Sequence, residues 1–311
     1  MTSAAHAAAG SRLATRAAIA SVALALALLV AKSWAAWETD STAMLGSLAD
    51  TALDLIASLA MLAGVRIAAV PADRDHRFGH GKAEALVALG QVVLISISAL
   101  WIAWRAVDRL INGAETAQME LGIAVSIAAI AATLLLLWYQ RRVIAQTGSI
   151  AIRTDNVHYK SDLMLNGAVI VALLLDQWLG VTGADAAFGI LIAAWLAWGA
   201  LRASNAAIDQ LMDREWPEEE RQAFLAAAHE FPELAGLHDL RTRKSGTLRF
   251  VQFHVWVPAN WTVRQAHDRL DIAEEALQAR FPGTEILIHV DPEGQTDRET
   301  LLSADLTERA T

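Results

Sequence analysis

The 311-residue chain has no cysteine, which excludes disulfides and thiolate metal sites alike. Metal ligands here must be His, Asp or Glu, a set that favours zinc or a similar borderline ion over copper(I). Basic patches are also missing. The formal net charge is −9, and no cluster of Lys and Arg offers a track for phosphates, so no nucleic-acid partner is expected. Charge of either sign is scarce: 19% of residues are charged against 55% hydrophobic, and the mean hydropathy is +0.34. That is too apolar for an ordinary soluble domain and points to the membrane class. The scarcity is uneven. Residues 1–212 hold 15 acidic and 14 basic side chains, net −1, whereas residues 213–311 hold 19 and 11, net −8. The C-terminal part therefore reads as an acidic soluble domain, and its surface would concentrate cations beside a membrane.

A hydrocarbon core takes about 20 mostly apolar residues per helix. Six runs qualify, at roughly 15–37, 41–69, 84–111, 117–140, 152–176 and 184–208, and the stretches 85–104 and 121–140 contain no charge at all. The first run is not read as a signal peptide. It continues past Lys32 to Trp34 and Trp37, an interfacial pair, and no clear small-x-small cleavage site follows. Connections 33–41, 112–120 and 177–184 lack Lys and Arg. Connection 70–83 holds Arg74, Arg77 and Lys82, connection 141–153 holds Arg141, Arg142 and Arg153, and the N-terminal tail holds Arg12 and Arg16. This alternation places both termini in the cytoplasm. Arg105 and Arg109 run against it, partly offset by Asp108.

Two motifs interrupt the second and fifth runs: Asp50-Thr51-Ala52-Leu53-Asp54 and His158-Tyr159-Lys160-Ser161-Asp162. Each puts two ligand side chains four residues apart, on one helix face. An Asp at a helix centre costs about 2.5–3.5 kcal/mol on insertion scales, so three cost roughly 8–10 kcal/mol before they repel one another. Something must neutralise them. Lys160 cannot pair with all three, and its stem is long enough to reach the interface. A divalent cation neutralises two charges and accepts Asp50, Asp54, His158 and Asp162 as a tetrahedral set. Histidine, with a reference pKa of about 6.5, can also trade metal for a proton near neutral pH.

The connection after run two, Pro71-Ala72-Asp73-Arg74-Asp75-His76-Arg77-Phe78-Gly79-His80-Gly81-Lys82, clusters Asp73, His76 and His80. By spacing alone it is either a solvated charged loop or a second metal site. Beyond Asp213 the pattern changes. Pro217 opens an acidic first turn and a helix to about Phe231. Strands follow at His238 to Arg243 and Thr247 to Val257, then an amphipathic helix from Gln265 to Phe281 and a strand from Thr284 to Val290. The order αββαβ predicts a small two-layer α+β domain, with a loose polar tail. The domain holds His229, His238, His254, His267, His289 and Asp291. His289 and Asp291 share a strand face, and His254 shares one with Phe250, Gln252 and Trp256. Any one histidine reads as surface or core, and His229 keeps that reading. The other four, together with an aspartate whose two oxygens can bridge metals, form a candidate site.

With these motifs in order, the chain resembles the cation diffusion facilitator family, whose bacterial members include zinc or ferrous-iron efflux pumps. The match covers about residues 12–293. It rests on Ser47-Leu48-Ala49-Asp50-Thr51-Ala52-Leu53-Asp54, on Pro71 to Glu84, on His158 to Asn166, on His238-Asp239-Leu240-Arg241-Thr242-Arg243 and on Ile288-His289-Val290-Asp291-Pro292. The resemblance implies a Y- or V-shaped homodimer, with six transmembrane helices per protomer and a metallochaperone-like cytoplasmic domain. It implies a transport site at Asp50, Asp54, His158 and Asp162 and a loop site at Asp73, His76 and His80. A binuclear cytoplasmic site would take His238, His254, His267, His289 and Asp291, and a charge interlock would pair Lys82 with Asp213. Val290 departs from close relatives that carry a polar residue beside the histidine, which weakens one subsite if a side chain there helps to hold metal.

The expected architecture is thus a membrane α-helical protein with a small α+β domain. It comprises a tail at 1–14, the six-helix domain at 15–210, the dimerising metal-binding domain at 211–293 and a loose end at 294–311. The expected function is proton-coupled efflux of Zn²⁺, with Cd²⁺ also carried, by alternating access of a homodimer in the lipid bilayer. The alternatives are an Fe²⁺ or Mn²⁺ exporter of the same fold and a membrane metal sensor or storage protein without transport. An enzyme is not expected. It would need an open coordination position and a general base, and no His-Glu-x-x-His occurs.

Overall fold

The computed structural model describes residues 3–39, 42–112, 122–179 and 184–294. The first two-thirds of the chain forms six long helices: α1 (Ser3–Thr39), α2 (Thr42–Ala68), α3 (Ala83–Asn112), α4 (Gly122–Thr147), α5 (Ile150–Leu179) and α6 (Ala184–Leu211). Helices α1 to α4 and α6 are long and apolar enough to cross a membrane. Helix α5 matches them in length but carries Asp155, His158, Lys160 and Asp162 in its first half. Large apolar side chains face outward, among them Leu100, Trp101, Leu135, Leu191 and Trp198. In water such faces would be costly; in lipid they meet their own kind, and helices keep every backbone group satisfied there.

Small residues let the helices approach. Ala14, Ala17 and Ala18 of α1 pack with Met61 and Val65 of α2 and Ile152 of α5. A second cluster joins Ile95 and Ala99 of α3 to Ile192 and Leu196 of α6. At Gly64 a Cβ would lie 2.4 Å from Val87 Cγ2, so the absence of a side chain sets how closely α2 meets α3. Helix α5 packs on α2, α3 and α4. The most polar of the six helices is therefore also the most surrounded, which is where a low-dielectric medium tolerates ionisable groups.

The chain divides into two compact units, with the division at Ile208. The C-terminal unit contains α7 (Glu218–Ala228), a 3₁₀ turn (Pro232–Leu234), β1 (Leu237–Ser245), β2 (Leu248–Val257), α8 (Val263–Arg280) and β3 (Thr284–Pro292). This is the αββαβ order that the sequence predicts. A capping box starts α8: Thr262 Oγ1 accepts the Gln265 N–H, and the Gln265 side chain accepts the Thr262 N–H at 2.8 Å. The strands lie in the order β1-β2-β3, the first pair antiparallel and the second parallel. The α7 and α8 residues Phe224, Leu270 and Leu277 pack on Phe253, Val255 and Ile286 of the sheet. Because strand side chains alternate, Gln252, His254 and Trp256 of β2 point to the other, uncovered face.

Candidate metal centres

Three groups of His and Asp converge among the described residues: Asp54 with His158 and Asp162, Asp73 with His76 and His80, and His238 with His254 and Asp291. In each, one ligand atom per residue lies within 4.8 Å of the others.

The first group joins α2 to α5. His158 Nε2 stands 3.1 Å from Asp54 Oδ1 and 3.8 Å from Asp162 Oδ2. Asp162 is one turn along α5 from His158, so the helix itself aligns that pair, whereas Asp54 arrives from more than a hundred residues away. All three side chains are half-buried. Asp50 is one turn before Asp54 on α2, and its side chain lies outside those described. A half-buried imidazole between carboxylates offers one nitrogen and several oxygens, a donor set and spacing that a single small divalent cation could take.

What holds His158 in place is a polar network that sequence reasoning missed. Asp155, fully buried one turn before His158, accepts hydrogen bonds from Ser21 Oγ of α1 at 2.7 Å and Gln140 Nε2 of α4 at 2.7 Å. Gln91 Nε2 of α3 donates to its other oxygen at 3.2 Å. Asn156 Nδ2 donates to Gln140 Oε1 at 2.9 Å. Tyr159 donates its hydroxyl proton to the Ser21 carbonyl at 3.1 Å, which makes Ser58 Oγ of α2 the donor in its 3.1 Å contact with the same hydroxyl. Four other helices thus clamp the face of α5 next to His158. A signal was available: Asp155 is a further carboxylate inside an apolar run. The N-terminal start of α5 is clamped as well. Ser149 Oγ donates to the buried Glu84 carboxylate of α3 at 2.8 Å and accepts the Ile152 N–H at 3.3 Å. Glu84 also accepts from the Ile150 and Ala151 N–H groups, an anion at a helix N-terminus. Lys160 has the Arg141 guanidinium as a charged neighbour. A different lysine reaches α2: Lys32 Nζ of α1 donates to Thr51 Oγ1 at 2.7 Å, three residues before Asp54 in the sequence.

In the second group the loop folds around Asp73. Its Oδ1 accepts the N–H of Asp75 at 2.9 Å and of His76 at 2.6 Å, and its Oδ2 lies 3.3 Å from His80 Nε2. His80 Nδ1–H donates to the Val70 carbonyl at 3.3 Å, which leaves Nε2 free to bind metal. The His76 N–H is the largest cause holding the Asp73 carboxyl below the usual aspartate range. Desolvation opposes it, and the Asp75 N–H and the imidazoles of His80 and His76 add to it. A depressed carboxyl stabilises the folded loop above its unfolded value of about 3.9, and that contribution is lost as pH falls through the folded value. Asp73 is therefore expected to titrate below about 3.9 in an NMR titration of labelled aspartate, assigned by difference from Asp73→Asn. A midpoint at or above that value would mean that the turn does not form in solution.

The third group sits on the open face of the sheet. His238 pairs with His254, and His254 with His289, in direct register across β1, β2 and β3, so three imidazoles form one row. Asp291, two residues beyond His289, presents one oxygen to each side. Its Oδ2 lies 2.9 Å from His254 Nδ1 and 3.3 Å from His238 Nε2, while Oδ1 lies 3.3 Å from His289 Nε2. His238 Nδ1–H donates to the Gly236 carbonyl at 2.9 Å, fixing the tautomer that exposes Nε2. His267 is not brought into this row. It lies exposed on α8 and lines a cavity of about 370 Å³ with Ile288, Val290 and Pro292. Within the same unit Asp213 Oδ1 meets Arg243 Nη1 at 3.5 Å.

The family model for the cation efflux transmembrane domain matches residues 18–212, and that for the cation efflux protein cytoplasmic domain matches residues 216–293. The cation-efflux pump FieF of Cronobacter sakazakii is 44% identical over 281 residues, covering 90% of this chain and 93% of that protein. FieF of Salmonella arizonae is 43% identical over 288 residues, covering 93% and 96%. A solved structure of CzrB in its zinc form is 38% identical and covers 28% of this chain and 99% of that one, with a TM-score of 0.25.

Proposed function

This chain belongs to the cation efflux family, also known as the cation diffusion facilitators, and is a membrane transporter of cations; from that premise we propose that it exports Zn²⁺, and Cd²⁺ with it, in exchange for protons. The observation that carries this reading is the convergence of Asp54, His158 and Asp162 between α2 and α5. Asp50 completes the four-ligand set. An imidazole favours Zn²⁺ and Cd²⁺ over Mn²⁺, which prefers oxygen throughout.

The neutral imidazole of His158 receives the cation, and a proton taken up there or on the neighbouring carboxylates expels it. Alternating access then carries the same four ligands from cytoplasmic to external exposure, with both termini in the cytoplasm of a bacterial inner membrane. The domain boundaries near residues 14, 210 and 293 follow that topology. Asp73, His76 and His80 collect cation at the membrane surface. Within the C-terminal domain Asp213 shares its charge with Arg243.

The C-terminal domain is the dimerisation domain of its family. Its donor set fits resident metal: His238 and His254 face one oxygen of Asp291, and His289 faces the other. A carboxylate so placed could share two ions with the three imidazoles, and metal held there would favour the folded domain and its dimer. His267 joins them only if assembly brings it to the row. Asp291→Ala is expected to abolish the resident pair, seen as a fall in bound Zn²⁺ per protomer by equilibrium dialysis, with the transport quartet intact. Unchanged stoichiometry would remove Asp291 from the role of bridge.

The test of transport is flux into proteoliposomes that contain a pH dye, repeated with Zn²⁺, Cd²⁺, Fe²⁺ and Mn²⁺. Proton movement is expected with Zn²⁺ and Cd²⁺. Saturable binding without any proton or metal flux would make the protein a sensor or store, and flux confined to Fe²⁺ or Mn²⁺ would reassign the cargo.

A further inference from the structure

Three carboxylates and a neutral imidazole give the proposed transport site a charge of −3, and a divalent cation leaves −1. An unbalanced charge at that depth opposes the reorientation that alternating access needs. Lys32 supplies the balance. It sits in the second half of α1, two residues before Trp34, and its Nζ donates to Thr51 Oγ1 at 2.7 Å. Thr51 is almost fully buried and lies between Asp50 and Asp54. The same ammonium is near enough to Asp162 for their charges to attract. One cation thus touches α2 at Thr51 and lies within electrostatic reach of the Asp162 carboxylate on α5.

We propose that Lys32 is a built-in counter-cation of the transport site, making the site −2 when empty and neutral when it holds one divalent ion. This rests on the reading of Asp50, Asp54, His158 and Asp162 as the transport ligands. Lys32 touches none of the reacting atoms; it acts through the field it places on them, as a positioning residue. Two consequences follow with opposite signs. A fixed positive charge beside the ligands repels incoming metal, so the ammonium weakens binding. The same charge neutralises the loaded site, so it speeds the crossing. Removing it traps metal in a tighter site that reorients slowly.

The experiment is Zn²⁺ uptake into proteoliposomes of the full-length protein at saturating and sub-saturating metal, comparing wild type with Lys32→Met, Lys32→Gln, Lys32→Arg and Thr51→Val. Met and Gln remove the charge. Gln keeps a donor for Thr51 and serves if the Met variant does not assemble. Both are expected to lower KM and kcat together, each by about tenfold, the scale of one unit charge acting across a poorly screened site. Lys32→Arg should restore both values, and Thr51→Val, which keeps the charge, should leave KM within about threefold. A merely structural lysine would lower kcat without lowering KM, and the Thr51 variant would behave the same way. KM unchanged or raised in folded Lys32→Gln overturns the proposal. If the wild-type vesicles carry no Zn²⁺ at all, the transport reading itself fails instead.

Discussion

Alanine at Asp54 is expected to reduce Zn²⁺ flux in proteoliposomes by at least about 100-fold, to the leak of empty vesicles. Asp54 Oδ1 is the α2 oxygen that stands 3.1 Å from His158 Nε2. Without it, the described ligands are His158 and Asp162, 3.8 Å apart on a single helix. A metal held mainly by one helix gains nothing from having α2 and α5 together, so affinity and coupling fall at once. Loss of even an indirect partner of a metal ligand costs about 10–100-fold, and loss of the ligand itself costs more. The variant should fold normally, because it removes one of several mutually repelling carboxylates from a low-dielectric setting. Normal elution and melting with no flux is the expected pair of results. Flux within about threefold of wild type would mean that metal crosses elsewhere.

The second large effect is on stability. Asp155→Ala is expected to destabilise the helical unit by roughly 3 kcal/mol. Three side-chain donors from α1, α3 and α4 meet that carboxylate. Hydrogen bonds between membrane helices average about 0.6 kcal/mol and reach about 1.7, so three contribute roughly 2–5 kcal/mol. The alanine also leaves the almost fully buried Gln91 amide without its acceptor and takes one from Gln140, while Ser21 falls back on the Ala17 carbonyl. Asp155→Asn keeps one acceptor oxygen and should recover part of the loss. Thermal melting of the purified protein in detergent, read by size exclusion, measures both. An alanine variant that melts with wild type would show that the network is decoration. Because Asp155 is one turn from His158, a loosened α5 should also broaden metal selectivity in whatever protein survives.

These two residues were unequally visible in the sequence. Asp54 belongs to a pair four residues apart within an apolar run, and helical periodicity by itself puts such a pair on one face. The same rule aligned His158 with Asp162. Strand periodicity placed His254, His289 and Asp291 on consistent faces, and the order αββαβ followed from turn residues and run lengths. Asp155 is also a carboxylate in an apolar run, one turn before His158, but no hydrogen-bond partner of its side chain lies on its own helix. Its partners are Ser21, Gln91 and Gln140, on three other helices.

Local chemistry therefore marked the candidate ligands and the segments apolar enough to enter a membrane. Both depend on interactions within a few residues, where helix and strand geometry is fixed by the backbone. Partnership across the fold was decided by packing. Sequence proximity made Lys160 the obvious cation for the aspartates, yet the ammonium that reaches Thr51 belongs to Lys32 on α1. Strand register brought His238, His254 and His289 into one row, while His267 remained on the helix that covers the opposite face. No periodicity carries that information. Which faces meet is set by the fit of whole helices and strands, through contacts such as Gly64 against Val87, and the sequence alone does not say which distant residue will arrive.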